Sequence, residues 1–329
     1  MARHNIPDII DRVEPRPGHL DVPTRPLVSS LVLSLRPSQW TKNLIVFAAL
    51  MFGRPEGHGL LDPRAVAQSL AAFAIFCCLS GVVYLVNDVA DRDADRRHPL
   101  KRHRPIASGA VPPGIAIGAA LLLAVVALSA AWLLRPSFAL VAVAYVALLA
   151  SYSGGLKHVV IIDVLTIAIG FVLRAVAGAV AIDVPISHWL LIMTILLALF
   201  LALSKRRHEL VLLAAGATGH RPILEEYSPY LLDQMISVVT ASTLVSYVIY
   251  TVSPETVQKF HTNSLGLTLV FPLYGIFRYL YLVHQKEGGG NPSDMLLTDR
   301  PLLACVAVWA IAVAIIIYGR DFHLFGLTS

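Results

Sequence analysis

The sequence predicts an all-α protein of about nine transmembrane helices, and its composition and hydropathy carry that prediction. Of the 329 residues, 56% are hydrophobic and only 14% are charged, and the mean hydropathy is +0.69. Because soluble domains carry about a quarter charged residues, this composition excludes an ordinary soluble enzyme. Apolar stretches separate the basic residues, so nucleic-acid binding is a poor explanation for the net charge of +5.

Nine apolar stretches approach the ~20 residues that a helix needs to cross a bilayer. They lie near 41–53, 65–87, 113–134, 137–152, 160–181, 187–204, 233–252, 265–284 and 301–319. The first stretch is short, so we expect its helix to begin near Pro26 and to bend or restart at Pro37, since proline disrupts a helix interior.

The polar first 26 residues contain prolines and lack the apolar core of a signal peptide. They predict a partly disordered cytoplasmic tail, followed by a single transmembrane catalytic domain over 27–329. Most lysines and arginines beyond the tail fall in the connections 88–112, 153–159, 205–232 and 285–300. Because basic loops stay inside, these connections are predicted to face the cytoplasm.

The first candidate site is the stretch NDVADRDAD, which follows the second apolar stretch. On a helix, a spacing of three or four residues puts four side chains on one face, namely Asn87, Asp88, Asp91 and Asp95. Asp93 points elsewhere. Since stacked like charges repel, a divalent cation is expected, and Mg²⁺ with its preference for carboxylates and phosphate oxygens suggests diphosphate chemistry. The alternative is a solvated helix end with salt bridges to neighbouring arginines.

The basic segment RRHPLKRHRPIASG follows at once and includes Arg104. It could fold over the mouth of the site and hold phosphate oxygens, or it could only anchor anionic headgroups. The sequence leaves both uses open.

The stretch YSGGLKHVVIID opens the fifth predicted helix, with Lys157 before the helix and Asp163 about one turn inside it. Asp163 and Arg174 share a helix face but lie roughly 16 Å apart along the axis, so each needs another partner. A water-filled cavity facing this helix is the simplest way to solvate both charges. For Arg174, the alternative is an interhelical salt bridge that only fixes packing. Gly170 and Gly178 are predicted to be close-packing points between helices.

Three further polar stretches are LRPSQWTKN, SKRRHEL and LLTDRPL. Lys42 in the first, and Lys205 and Arg206 in the second, are either phosphate ligands or ordinary membrane-boundary anchors. In the third, Asp299 is predicted to be an N-cap, with Pro301 early in the last helix. No P-loop, GxSxG or HExxH motif is present, and no serine or cysteine nucleophile stands out.

The motif NDVADRDAD resembles the NDxxDxxxD motif of the UbiA-type intramembrane prenyltransferases, which bind a diphosphate through Mg²⁺. The second, DxxxD-type motif of that superfamily is absent here, and YSGGLKHVVIID takes its place with Tyr152, Lys157 and a single Asp163. Together with LRPSQWTKN, GFVLRAVAG, LSKRRHEL and LLTDRPLL, this departure is similar to one branch, the decaprenyl-phosphate phosphoribosyltransferases, over about residues 29–319.

That resemblance implies helices around a cytoplasm-facing cavity in a bacterial cell membrane. It implies Mg²⁺-dependent transfer of 5-phosphoribosyl from phosphoribosyl diphosphate to a polyprenyl phosphate, which releases diphosphate and forms a lipid for cell-envelope glycan synthesis. It assigns Asp88, Asp91 and Asp95 to the metal, and Asp163 to ribose hydroxyls or a second metal. The implied phosphate-binding residues are Lys42, Asn87, Arg104, Tyr152, Lys157, Arg174, Lys205 and Arg206. A homo-oligomer, with a trimer to be checked, is a further implication.

Two other functions compete with this one. A UbiA-type prenyltransferase would move a polyprenyl group from its diphosphate to an aromatic acceptor, and a transporter would use its intramembrane charges as an ion path. Because the phosphoribosyl donor carries a 5-phosphate as well as a diphosphate, the surplus of cations favours phosphoribosyl transfer. The carboxylates cluster toward one membrane side, which disfavours a transporter.

Overall fold

The structure is a computed structural model that describes residues 26–52, 62–98, 101–214, 222–286 and 292–319, apart from the side chains of 213–214, 222 and 292–294. The predicted N-terminal tail lies outside the described residues except for Pro26. Every regular element within the described ranges is a helix, as the hydropathy predicted.

The α-helices in chain order are α1 (Leu27–Ser34), α2 (Ala48–Phe52), α3 (Pro63–Ala90), α4 (Arg92–Arg97), α5 (Pro113–Leu134), α6 (Pro136–Gly154), α7 (Ile162–Ala181), α8 (His188–Ala214), α9 (Pro229–Val252), α10 (Pro254–Phe260), α11 (Val270–Gln285), α12 (Pro292–Thr298) and α13 (Arg300–Tyr318). Shorter 3₁₀ segments are Pro37–Phe47, Lys101–His103, Leu156–His158, Pro222–Glu226 and Ser264–Leu269.

Eight described helices are long and apolar enough to cross a membrane: α3, α5, α6, α7, α8, α9, α11 with its preceding 3₁₀ segment, and α13. The remaining expected span is broken. Its first helix, α1, ends at Ser34, Arg36 adopts a left-handed conformation with φ 53°, and the chain restarts at Pro37 as a 3₁₀ helix. Proline lacks an N–H and disfavours helical geometry in the residue before it, so the predicted restart at Pro37 is confirmed.

Helix α8 continues to Ala214, well beyond the predicted end of its span near residue 204. The stretch SKRRHEL therefore lies inside the helix, and the prediction that the helix ends near residue 204 is wrong. Glu209 supports the continuation, because it pairs with Arg206 at 2.7 Å and Lys205 at 3.9 Å, three and four residues earlier.

The last helix begins as its sequence predicted. Asp299 caps α13, since its carboxylate accepts a hydrogen bond of 2.9 Å from the backbone N–H of Leu302. The same carboxylate pairs with Arg278 of α11, and these hydrogen bonds hold the pKa of Asp299 below its usual range. The cap thereby also ties the start of α13 to α11.

Helices α3 and α7 form the interior of the bundle, and the 3₁₀ segment Pro37–Phe47 packs against both of them. Their shared apolar core includes Phe76, Phe138 and Tyr145. A second apolar cluster, with Phe200, Leu232 and Tyr279 among its members, joins α8, α9 and α11. This arrangement brings the ends of α3, α6 and α8 and the start of α7, where the predicted site residues lie, to one end of the bundle.

The 3₁₀ segment Pro37–Phe47 passes very close to α7 at Gly178. A Cβ atom at Gly178 would lie 2.0 Å from the carbonyl oxygen of Val46, whereas the nearest atom to a Cβ at Gly170 would be an Arg174 side-chain nitrogen at 3.6 Å. The close-packing prediction is confirmed for Gly178, and Gly170 has ordinary space around it.

We expect Gly178→Ala to destabilise the protein by about 1–3 kcal/mol, because backbone atoms of the 3₁₀ segment must shift to admit the methyl group. Gly170→Ala should change the free energy of unfolding by no more than about 0.5 kcal/mol, and thermal unfolding in detergent compares the two. Equal melting temperatures would contradict this account.

Candidate active site

The acidic motif sits at a break between two helices. Helix α3 ends at Ala90, Asp91 has φ −89° and ψ 5°, and α4 begins at Arg92. The single uninterrupted helix that the spacing assumed is therefore broken, and the prediction that Asp91 shares a face with Asp88 and Asp95 is wrong. Asp88 and Asp95 are each only 3% exposed, and the side chain of Asp91, at the break, is exposed.

Two arginines bind the buried carboxylates. Nη1 of Arg104 lies 3.1 Å from Asp88 Oδ1 and 2.6 Å from Asp95 Oδ2, so a single nitrogen bridges the two acids. Arg36 donates to the same Asp88 Oδ1, and its guanidinium lies 4.6 Å from the centre of the Tyr84 ring. The backbone of Arg36 is left-handed at this point, with φ 53° and ψ 64°.

The basic segment after the motif folds back over it. Ile106 and Val111 are fully buried, and Arg96 Nε donates to the carbonyl of Ala107 at 2.9 Å. The segment thus folds over the motif, as one of the two sequence interpretations anticipated, and it carries Arg104 to the carboxylates. Residues 99–100 lie outside the described ranges.

The donor set of the motif suits Mg²⁺, which takes one or two carboxylates together with phosphate oxygens. Asp88 and Asp95 supply two buried carboxylates held around one Arg104 nitrogen, and Asp91 supplies an accessible third. No cluster of three or more His, Cys, Asp or Glu side chains in metal-binding geometry occurs within the described part of the chain. Such an ion would be held by these carboxylates together with phosphate oxygens of a substrate.

A second polar network lies two helical turns below Asp88, around Arg174 of α7. Arg174 is 6% exposed and donates to neutral oxygens only among its described partners: Asn43 Oδ1 at 2.7 Å, Tyr145 Oη at 2.6 Å and the Gly170 carbonyl at 2.9 Å. Ser80 of α3 contacts Tyr145 at 3.2 Å and links the network to the helix of the acidic motif. Each guanidinium nitrogen of Arg174 therefore donates to a protein oxygen.

A third network surrounds Asp163, which is fully buried at the start of α7. Its Oδ2 accepts from Arg206 Nε at 2.8 Å, and its Oδ1 accepts from the hydroxyl of Tyr227 at 2.9 Å. Arg206, itself 1% exposed, also donates to Glu209 at 2.7 Å and to the Tyr152 hydroxyl at 3.3 Å. The partner that Asp163 was predicted to need is Arg206, which comes from the neighbouring helix.

Tyr227 belongs to the connection between α8 and α9. Its hydroxyl accepts a hydrogen bond of 2.8 Å from the backbone N–H of Ile161 while donating to Asp163. Burial, reinforced by the Asp163 carboxylate, raises the pKa of Tyr227 to about 12. The hydroxyl therefore stays protonated at neutral pH and remains a donor.

The other predicted site residues keep partial exposure at the same end of the bundle. Lys42, Asn87, Lys157 and Lys205 are half-buried. The structure brings Asp88, Asp95 and Arg104 together, and separately Tyr152, Asp163 and Arg206. It joins Arg174 to Asn43 and Tyr145, neither of which was predicted as its partner.

Sequence reasoning assigned no role to several residues of these networks, among them Arg36, Tyr145 and Tyr227. Arg36 was seen as part of LRPSQWTKN but received no role, Tyr145 lies within an apolar stretch, and Tyr227 lies in a connection. A polar hydroxyl inside a membrane span was a usable signal for Tyr145. Nothing in the local pattern indicated Tyr227.

The family model described as the UbiA prenyltransferase family matches residues 43–289. A Mycolicibacterium smegmatis protein named decaprenyl-phosphate phosphoribosyltransferase is 34% identical over 90% of this chain and 95% of its own length. A Corynebacterium glutamicum protein of the same name is 32% identical over 90% of this chain and 89% of its own.

Among solved structures, a UbiA homologue from Archaeoglobus fulgidus bound to GPP and Mg²⁺ superimposes with a TM-score of 0.66. It covers 88% of this chain and 99% of its own, at 18% identity, and so shows the shared fold. With a family model matching most of the sequence and full-length relatives above 30% identity, this chain belongs to the UbiA prenyltransferase family.

Proposed function

We propose that this protein transfers 5-phosphoribosyl from phosphoribosyl diphosphate to a polyprenyl phosphate and releases diphosphate. The observation that carries the proposal is the near full-length similarity, at 34% identity, to a decaprenyl-phosphate phosphoribosyltransferase. The product is a polyprenyl-phospho-5-phosphoribose, a lipid suited to cell-envelope glycan synthesis. The enzyme spans the cell membrane and works at its cytoplasmic side, in accord with the basic connections at that end of the bundle.

The acidic motif holds the diphosphate end of the donor. Asp88, Asp91 and Asp95, with the Asn87 amide, bind Mg²⁺ jointly with the diphosphate. When bound, Mg²⁺ neutralises the charge that develops on the departing diphosphate as the C–O bond breaks. Arg104, which already bridges Asp88 and Asp95, is positioned to donate to diphosphate oxygens without leaving the site.

The cations outside the motif bind the other phosphates. Lys157, with neighbouring His158, takes the 5-phosphate of the donor, and Lys42 and Lys205 take the phosphate of the lipid. The acceptor phosphate is an anion at neutral pH, so it can attack the anomeric carbon without a strong general base. This chemistry suits a site whose titratable groups are carboxylates and cations.

We assign positioning roles to the buried residues of the other two networks. The described hydrogen bonds of Arg174 and Arg206 engage both side chains with protein oxygens, and Asp163 has both carboxylate oxygens occupied. A phosphate or ribose hydroxyl would have to displace these bonds. Tyr152, whose hydroxyl accepts from Arg206, acts through that arginine.

An assay with purified protein and Mg²⁺ tests the proposal. One mixture contains phosphoribosyl diphosphate and a polyprenyl phosphate, and the other contains a polyprenyl diphosphate and an aromatic acid. We expect a phosphoribosylated lipid in the first mixture and no prenylated product in the second. Product in the second mixture alone would establish the prenyltransferase alternative and overturn the proposal. Size measurement on the same sample checks whether the protein is a homo-oligomer and whether that oligomer is a trimer.

A further inference from the structure

The Tyr227 hydroxyl connects segments that are distant along the chain. It accepts from the N–H of Ile161 at 2.8 Å and donates to Asp163 Oδ1 at 2.9 Å, although more than sixty residues separate it from either. Arg206 of α8 holds the other oxygen of the same carboxylate. One hydroxyl thereby joins the α8–α9 connection to the junction before α7.

That junction has an unfavourable backbone. Ile161 has φ 67° and ψ −41°, a region that β-branched residues rarely occupy. Such conformations persist only when the surrounding structure holds them, and they concentrate at functional sites. At Ile161, the hydrogen bond from its own N–H to Tyr227 supplies part of that restraint.

The strained junction adjoins the turn that carries Lys157, a predicted phosphate ligand. The 3₁₀ turn Leu156–His158 presents Lys157 and His158, and Ile161 lies three residues further on. We propose that Tyr227 is a positioning residue for the donor site: its hydroxyl holds the Ile161 junction and so sets where Lys157 meets the donor's 5-phosphate. This inference rests on the proposed function of the same site.

The ring of Tyr227 is anchored independently of its hydroxyl. Tyr227 is 5% exposed, and Ile223 and Leu224 of its own connection are 3% and 2% exposed. The ring packs in the apolar cluster with Leu203 and Leu232. Replacing Tyr227 with Phe therefore removes two hydrogen bonds while the packing that holds the connection remains.

The chain supplies a matched control in Tyr279. It lies in the same apolar cluster at 4% exposure, and its hydroxyl has no hydrogen-bond partner among the described residues. Tyr279→Phe removes an equally buried hydroxyl without breaking a bond. Any difference in kinetics or hydrogen exchange between the two variants is therefore due to the hydrogen bonds of the Tyr227 hydroxyl.

The test compares Tyr227→Phe, Tyr279→Phe and the wild-type enzyme in steady-state kinetics. We expect Tyr227→Phe to raise the KM for phosphoribosyl diphosphate about tenfold, with the KM for the lipid unchanged, and Tyr279→Phe to match the wild type. A purely structural role would lower the amount of active enzyme without moving either KM. Unchanged KM values in Tyr227→Phe, or equal shifts in both variants, would overturn the proposal.

Hydrogen exchange on the same proteins separates this inference from the proposed function. We expect faster exchange over residues 156–163 in Tyr227→Phe and not in Tyr279→Phe, whether or not phosphoribosyl transfer is detected. Unchanged exchange there would overturn the positioning role by itself. Absence of phosphoribosyl transfer by the wild type, with the local exchange effect intact, would instead overturn the proposed function.

Discussion

Asp91→Asn is expected to reduce phosphoribosyl transfer by about 10²–10⁴-fold while leaving the melting temperature in detergent unchanged. The carboxylate of Asp91 is exposed at the break between α3 and α4. Loss of a metal ligand removes several kcal/mol of charge stabilisation in the transition state. Each ~1.4 kcal/mol of that loss lowers the rate tenfold. Asn is nearly isosteric and preserves the backbone. Initial rates over a Mg²⁺ titration measure the effect.

Asp91 is a cleaner target than its buried neighbours. Its backbone N–H donates to the Asn87 carbonyl, and its own carbonyl accepts from the Asp95 N–H, both at 2.8 Å, and the substitution touches neither bond. Asp88 and Asp95 instead bind Arg36 and Arg104, so their replacement would disturb structure and metal binding together.

Asp93→Asn is the control for that experiment. Asp93 is exposed on α4, two residues after Asp91, and the variant loses the same charge. Asp93 does not belong to the predicted ligand set. It should keep the wild-type rate and the wild-type Mg²⁺ dependence. If Asp91→Asn retained full activity, or if both variants lost it equally, the metal assignment would be wrong.

The spans were predictable because apolar length is a local property. The apolar stretch 113–134 coincides with helix α5, Pro113–Leu134, since nothing but hydropathy and two flanking prolines determines its ends. Helix α8 shows the limit of that reasoning. A hydropathy profile places the end of the span at the polar stretch SKRRHEL, but the helix continues through it, and Glu209 pairs there with Arg206 and Lys205.

The spacing of the acidic residues identified the motif, but it did not predict the geometry of the motif. Periodicity assumes one uninterrupted helix, and the break at Asp91 turns that side chain outward while Asp88 and Asp95 stay buried. The partners of Arg174 were out of reach for a different reason. Asn43 lies 131 residues away in the chain, and only the crossing of the 3₁₀ segment over α7 brings the two together.

Arg206→Met should be the most destabilising substitution in the site, at about 3–5 kcal/mol. Arg206 and Asp163 are 2% and 0% exposed at their side chains and lie 2.8 Å apart. Removing the guanidinium leaves a buried carboxylate with only the Tyr227 hydroxyl among its described partners. Reversible unfolding in detergent measures the loss of free energy.

The adjacent Arg207 provides a control on the same helix. It pairs with Asp233, but the two side chains are 17% and 37% exposed, so water can replace the lost partner. Arg207→Met should therefore cost no more than about 1 kcal/mol. Similar losses for the two variants would mean that burial does not govern the Arg206 pair.

The double variant Arg206→Met with Asp163→Asn decides what the arginine does. Neutralising Asp163 removes the uncompensated charge, so the double variant should be more stable than the sum of the single changes predicts, by about 0.5–3 kcal/mol. If Arg206 only positions the site, activity should recover in part together with stability, because the phosphate ligands are elsewhere. If Arg206 itself bound phosphate, as its sequence context suggested, stability would return without activity. Stability and transfer rate, measured on one preparation, distinguish a buried counter-ion from a substrate ligand.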